Sequence, residues 1–177
     1  MIRVLEEFRG QRAPLPPRLP TRQIALASLG AAVAIAFVGV LAHATRQPLL
    51  LGSLGASCVF LFGLPEAPFS QPRNVIAGHV LSSLVGLVLL KTFGPHTWAL
   101  GLALGAAVFA MFATRTFHAP AGSNPVIVFL TQPDWGFLLA PTLLGALGVV
   151  LVALLFHRIT RPGRYPLYWL GHDAPRA

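Results

Sequence analysis

The sequence predicts an all-α, polytopic membrane bundle: about four full transmembrane helices, two short re-entrant or half-helices, and an internal two-unit repeat. Three observations lead there. Hydrophobic residues make up 55% of the 177-residue chain and charged residues 10%, and mean hydropathy is +0.70; a water-soluble fold of that composition would have too little polar surface to cover its core. The charges are segregated: Arg3, Arg9, Arg12, Arg18 and Arg22 precede the first apolar run, and Arg158, Arg161, Arg164 and Arg176 follow the last. Between Gln23 and His157 the only charges are Arg46, Glu66, Arg73, Lys91, Arg115 and Asp134. Finally, the order Ala44-Thr45-Arg46, Gly52-Ser53, Gln71-Pro72 returns as Ala113-Thr114-Arg115, Gly122-Ser123, Gln132-Pro133. Duplicated membrane units of this kind build a central site between two halves.

The net charge of +8 lies at the two termini beside apolar runs, so it reads as the positive-inside bias rather than as a nucleic-acid footprint. Both ends are expected in the cytoplasm of a bacterial-type inner membrane, with an even number of crossings. Residues 1–23 form a basic, proline-rich lead-in, 24–157 the transmembrane domain with units at about 24–91 and 97–157, and 158–177 a basic tail. Pro14, Pro16, Pro17 and Pro20 disfavour a helix in the lead-in, and Tyr165, Tyr168 and Trp169 suit the headgroup level. A single cysteine, Cys58, rules out an intrachain disulfide.

Residues 24–42 are free of charge and long enough to span. The run also exceeds the usual apolar core of a signal peptide, and its repeat partner 97–113 is interior, so it reads as a mature helix. Residues 75–90 and 136–156 close the two units; Ser82, Ser83 and Gly86 in one, and Gly145 and Gly148 in the other, permit close helix contact. The apolar stretch 126–130 is too short to cross, so it and its counterpart 49–64 read as half-helices that enter and turn back. If instead 49–64 spans, each unit has three crossings and the halves are inverted.

The candidate binding residues follow the repeat. Arg46 and Arg115 occupy equivalent places near helix ends, where a charge needs a cavity, a counter-charge or the interface. The Gly-Ser after each can open a half-helix whose free N–H groups attract an anion. Snorkelling to headgroups is the plain alternative for both arginines. Arg73 lines an entrance or pairs with Glu66. His118, just before Pro120-Ala121-Gly122-Ser123, is a titratable donor or a fixed turn-former, and His79 needs a polar partner from Ser53, Ser123, Asn124, Gln71 or Gln132. Ser53, Ser123, Asn74 and Asn124 offer uncharged donors, or else cap broken helices.

The stretches His118-Ala119-Pro120-Ala121-Gly122-Ser123-Asn124-Pro125, Gly52-Ser53-Leu54-Gly55-Ala56 and Gln71-Pro72-Arg73-Asn74-Val75-Ile76-Ala77-Gly78-His79 resemble the HPP family of small integral membrane proteins. The resemblance covers roughly residues 24–156. It implies four membrane-spanning helices, a His-Pro-Pro signature, and a link to nitrite transport. Here Ala119 replaces the first proline, which loosens the turn while leaving the histidine and Pro120.

Three function classes compete. The favoured one is a transporter or channel for a small inorganic anion, nitrite leading, embedded in the lipid bilayer and self-associating as a homo-oligomer. An accessory or structural membrane subunit is the second. An enzyme is disfavoured: the histidines share no ligand spacing, no nucleotide-binding glycine loop is present, and Cys58 has no adjacent base, so no metal, cofactor or catalytic residue is assigned.

Overall fold

The computed structural model describes residues 14–170, which contain six α-helices. Helix α1 (Thr21–Thr45) starts after Pro20 and stops where Arg46 turns left-handed. Helix α2 (Gly52–Gly63) is short, and α3 (Pro72–Phe93) opens on a proline, whose missing N–H costs nothing in a first turn. Then come α4 (Thr97–Ala113), the short α5 (Asn124–Thr131) and α6 (Leu144–Thr160). A tight turn at Trp135–Leu138 and a kinked stretch at Leu139–Leu143, non-helical at Ala140, lead into α6.

Thr21–Thr45, Pro72–Phe93 and Trp135–Thr160 are long and apolar enough to cross a membrane by length and composition. Helix α4, with 17 residues, measures about 25 Å and completes a set of four. Helices α2 and α5, with 12 and 8 residues, measure only about 18 and 12 Å.

Neither short helix turns back. Gly63 and Leu64 share a cleft with Pro20, Arg22, Thr160 and Arg161, at the basic end of the bundle. Gly52 shares another with Thr131 and Asp134, and Asp134 lies 3.6 Å from Lys91 near the far end of α3. The extended stretch 47–51 plus α2 therefore carries the chain from one end to the other. The second unit does the same in reverse. Its stretch 114–123 begins beside Arg73 in the first turn of α3, Asn124 meets His79 and Ser83 partway along α3, and Thr131 reaches the Lys91 end. The described residues make six passes, two of them broken, and the halves are inverted. Of the two arrangements the sequence allowed, the structure adopts the one in which 49–64 goes through.

The repeated Ala-Thr-Arg is a helix stop. Arg46 and Arg115 both have φ of 55°, and Thr45 and Thr114 both donate to the carbonyl four residues back, at 2.7 and 2.8 Å. Because the halves are inverted, the two arginines sit at opposite ends of the bundle.

Small residues set the packing. Helix α1 buries only Gly30, Ala34 and Val38, and α4 buries Ala99, Ala103, Ala107 and Met111, each a stripe at every fourth residue. Gly101 and Gly105 face away from the protein, so the contact stripe on α4 is the alanine row. Two glycines matter for a different reason. A Cβ on Gly78 would stand 2.9 Å from the Thr116 carbonyl oxygen, and one on Gly145 2.7 Å from the Leu49 carbonyl oxygen. In each half, the extended part of the broken pass lies against a glycine of the other half.

The proline-rich residues 14–20 are exposed and without regular structure, while residues 1–13 and 171–177, which carry Arg3, Arg9, Arg12 and Arg176, lie outside the described part. The tail folds back instead of lying free at the headgroups. Tyr165 is buried with its hydroxyl donating to the Ser70 carbonyl at 3.0 Å, and Tyr168 donates to Pro68 at 3.1 Å. Buried Gln71 binds the same turn, donating to the carbonyls of Pro65 and Ala67 and accepting from the Leu167 N–H.

Gly78→Ala and Gly145→Ala should each cost about 1–3 kcal/mol, read as a lower thermal midpoint in detergent, whereas Gly101→Ala and Gly105→Ala, with nothing within 4 Å of the added atom, should leave the midpoint unchanged or higher. Burial pushes the Tyr165 phenol up from its ordinary value. The unfolded chain ionises first, so Tyr165 contributes fully below about pH 10 and its contribution is lost above that. Thermal scans across that range should show the fall, and Tyr165→Phe, though less stable at neutral pH, should show a shallower one.

Candidate functional site

Helix α2 presents Ser53 and Ser57, four residues apart on one face, in an otherwise apolar sequence. The Ser57 hydroxyl oxygen lies 2.8 Å from His79 Nε2, 2.8 Å from His118 Nε2 and 2.9 Å from the Ser53 carbonyl oxygen. All three side chains are fully buried. His79 comes from α3, and His118 is delivered by the stretch before α5, extended over 116–118 and a 3-10 turn over Ala119–Ser123. That stretch is pinned to α3 throughout: Asn74 donates to the Phe117 carbonyl at 3.0 Å, Ser82 to the Ala121 carbonyl at 2.7 Å, and Gly78 lets Thr116 and His118 approach.

Hydrogen-bond logic assigns the tautomers. His118 Nδ1 is 2.7 Å from the Phe69 carbonyl oxygen, which only accepts, so Nδ1 carries the hydrogen. The Asn124 amide nitrogen donates to the His79 carbonyl at 3.1 Å and to Ser83 Oγ at 2.9 Å. That orients the amide, and its NH₂ faces His79 Nδ1 at 3.1 Å. His79 Nδ1 is therefore a lone pair, and its hydrogen sits on Nε2, aimed at Ser57.

Among the described residues the surroundings are apolar and without carboxylates. Phe60 packs edge-on against Phe69 and lies near His118, and the His79 and His118 rings are 5.1 Å apart. Glu66 lies 3.7 Å from Arg161 at the basic end, and Asp134 is paired with Lys91 at the other. Ser53 Oγ and Asn124 Oδ1 are buried and make no hydrogen bond among the described residues. Each belongs to the first turn of a half-helix, one from each unit.

Of the residues expected from sequence, His79, His118, Asn124 and Ser53 come together here. Asn74 is adjacent and holds the backbone. Arg73 is at the rim and donates to the Thr114 carbonyl at 3.2 Å; Glu66 pairs with Arg161 instead. Ser123 is exposed and donates to the Pro120 carbonyl within its own turn at 2.8 Å. Arg46 and Arg115 are exposed at the two ends of the bundle and do not face one central cavity. Ser57 and Ser83 complete the cluster and escaped the sequence reading of it. The available signal was the four-residue spacing of Ser57 from Ser53.

The HPP transmembrane region, as a family, matches residues 16–166. This chain belongs to the HPP family. Two curated relatives are transmembrane proteins of Dictyostelium discoideum: one is 37% identical over 132 residues, covering 70% of this chain and 46% of that protein. The other is 36% identical over 128 residues, covering 68% and 41%. The chain thus spans less than half the length of these relatives. No solved structure matches it. The HPP match takes in all six helices, both halves of the inverted repeat and the histidine cluster. Within the His-Ala-Pro of this HPP member, His118 and Pro120 are buried and Ala119 is exposed, so the departure from the signature falls where the chain touches least.

Asn124→Leu removes the donor to His79 and Ser83, and should cost about 1–3 kcal/mol by leaving buried acceptors unpaired. Urea unfolding in micelles should show that loss, with Ser123→Ala close to the parent protein.

Proposed function

We propose that this HPP protein moves a small inorganic anion across the membrane, with nitrite the leading candidate. The supporting observation is that both broken passes change from extended backbone to helix near mid-depth, beside a buried imidazole pair. Helix α5 starts between the levels of His79 and Ser83, about 10–17 Å from the start of α3, and α2 begins about 18 Å from the basic end. Two helix N-termini of opposite units then meet at one level with their positive dipole ends toward it, while in α5 the Asn124 N–H is taken by the Ala121 carbonyl and Pro125 has none. Irregular backbone at such depth is tolerated where it lines a site. Nitrite rests on the family resemblance alone; the positive dipole ends favour any small anion.

The same reading places both termini in the cytoplasm of a bacterial-type inner membrane, consistent with six passes and a basic end. It makes the protein a carrier rather than an enzyme, with no role for nucleic acid, and the exposed apolar helix faces meet lipid or further copies in a homo-oligomer. Arg73, Arg115 and Arg46 then act at the entrances, not at the centre. The second reading is an accessory membrane subunit. It is favoured by the closure around the cluster, where His79 and His118 are both 0% exposed; in the transport reading that closure is the occluded state.

Uptake of nitrite, nitrate, chloride and formate into liposomes holding the purified chain tests this. Saturable nitrite flux is expected, falling at least about tenfold, equivalent to about 1.4 kcal/mol, in His118→Ala, which removes the imidazole between the two broken passes. No flux of any anion from folded, inserted protein would favour the accessory subunit.

A further inference from the structure

We propose that His118 is the loading site for a proton taken up together with the anion, that the Ser57 hydroxyl switches between two acceptors as the proton arrives, and that His79 is a fixed donor. The inference rests on the anion reading above and assigns its coupling ion.

The hydrogen bonds run in one direction. The Asn124 NH₂ lies against the His79 Nδ1 lone pair, His79 Nε2–H donates to Ser57 Oγ, and His118 Nδ1–H to the Phe69 carbonyl. The variable member is the Ser57 hydroxyl hydrogen, which has two possible acceptors, His118 Nε2 and the Ser53 carbonyl. With His118 neutral, the hydroxyl donates to His118 Nε2. When hydronium gives up a proton to the Nε2 lone pair, its O–H bond breaking to leave water, the new N–H donates to Ser57 Oγ and the hydroxyl turns to Ser53, 2.9 Å away. Ser57 then accepts twice and donates once, using all three neighbours. No other bond is made or broken and no electron moves.

His79 cannot take that role. Its free lone pair faces the Asn124 NH₂, and a hydrogen there would set two donors against each other. Among the described residues the site also lacks a balancing charge. Helix α2 contributes only Cys58, α3 carries Arg73 and Lys91 at its ends, the 114–123 stretch brings Arg115, and α5 has no ionisable group. The carboxylates Glu66 and Asp134 are at the two ends of the bundle. A buried imidazolium without a counter-charge is costly, and an incoming anion supplies one. Proton and anion therefore enter together, from the same side, and leave together.

Ring-¹⁵N NMR of the histidine-labelled full chain in nanodiscs reads this directly. Between about pH 5 and 8, around the ordinary histidine value, the nitrite-free protein should show neutral His118 as the Nδ1–H tautomer and neutral His79 as the Nε2–H tautomer. Nitrite should raise the His118 midpoint by about one to three pH units, as a close opposite charge does, with His79 unchanged. Ser57→Ala should lower that nitrite-bound midpoint by about one unit, because the charged form loses the stronger hydrogen bond. A His118 ring that stays neutral with nitrite, nitrate and formate alike, or charging at His79 instead, overturns the proposal without any variant. Liposomes with a trapped pH dye separate it from the transport reading. Nitrite flux without accompanying protons ends the coupling proposal and leaves transport standing, while anion-linked charging of His118 without flux does the reverse.

Discussion

Every peptide group that leaves helical geometry inside an apolar bundle has to find its partner within the protein, and this chain does so in two places. An unpaired amide or carbonyl in hydrocarbon costs several kcal/mol, so two broken passes demand polar side chains where composition is otherwise least able to supply them. The second break shows how the demand is met. Asn74, Ser82 and His118 bond to the carbonyls of Phe117, Ala121 and Phe69, and Gly78 removes the side chain that would hold the strand away from α3. The first break rests on Gly145 in the same manner.

The groups that satisfy the backbone are also those of the candidate site. His118 secures the Phe69 carbonyl with one ring nitrogen and meets Ser57 with the other; Asn124 bonds the His79 backbone and sets the His79 tautomer with one amide. Structure and chemistry share atoms here, so substitutions that disturb one disturb the other. A function-specific readout has to follow the protonation of a ring or the movement of an ion, because loss of activity alone would also follow from loss of fold.

Inversion explains why the sequence repeat misled about its arginines. Equivalent positions in two antiparallel units are related by an axis in the plane of the membrane, so residues near the middle converge and residues near helix ends diverge to opposite surfaces. Arg46 and Arg115 share a backbone conformation and a neighbouring threonine contact, but lie at opposite ends of the bundle. The equivalence of Ser53 with Ser123, and of Gln71 with Gln132, likewise holds in topology and fails in environment, one of each pair being buried and the other exposed.

Apolar run length, charge segregation and the doubled motif were enough to establish a helical membrane protein of two related units, because bilayer thickness and backbone satisfaction leave few alternatives. The HPP-like stretches pointed to His118 and His79 for the same reason: an ionisable residue among apolar ones requires a partner. Which partner, and whether a short helix turns back or goes through, depended on contacts between residues some 40 to 60 positions apart, such as Ser57 with His118 and Asn124 with His79. Hydropathy registers how deep a residue can lie but carries no record of which neighbour it meets there, so only the packed bundle decided the inversion, the tautomers and the place of Ser57.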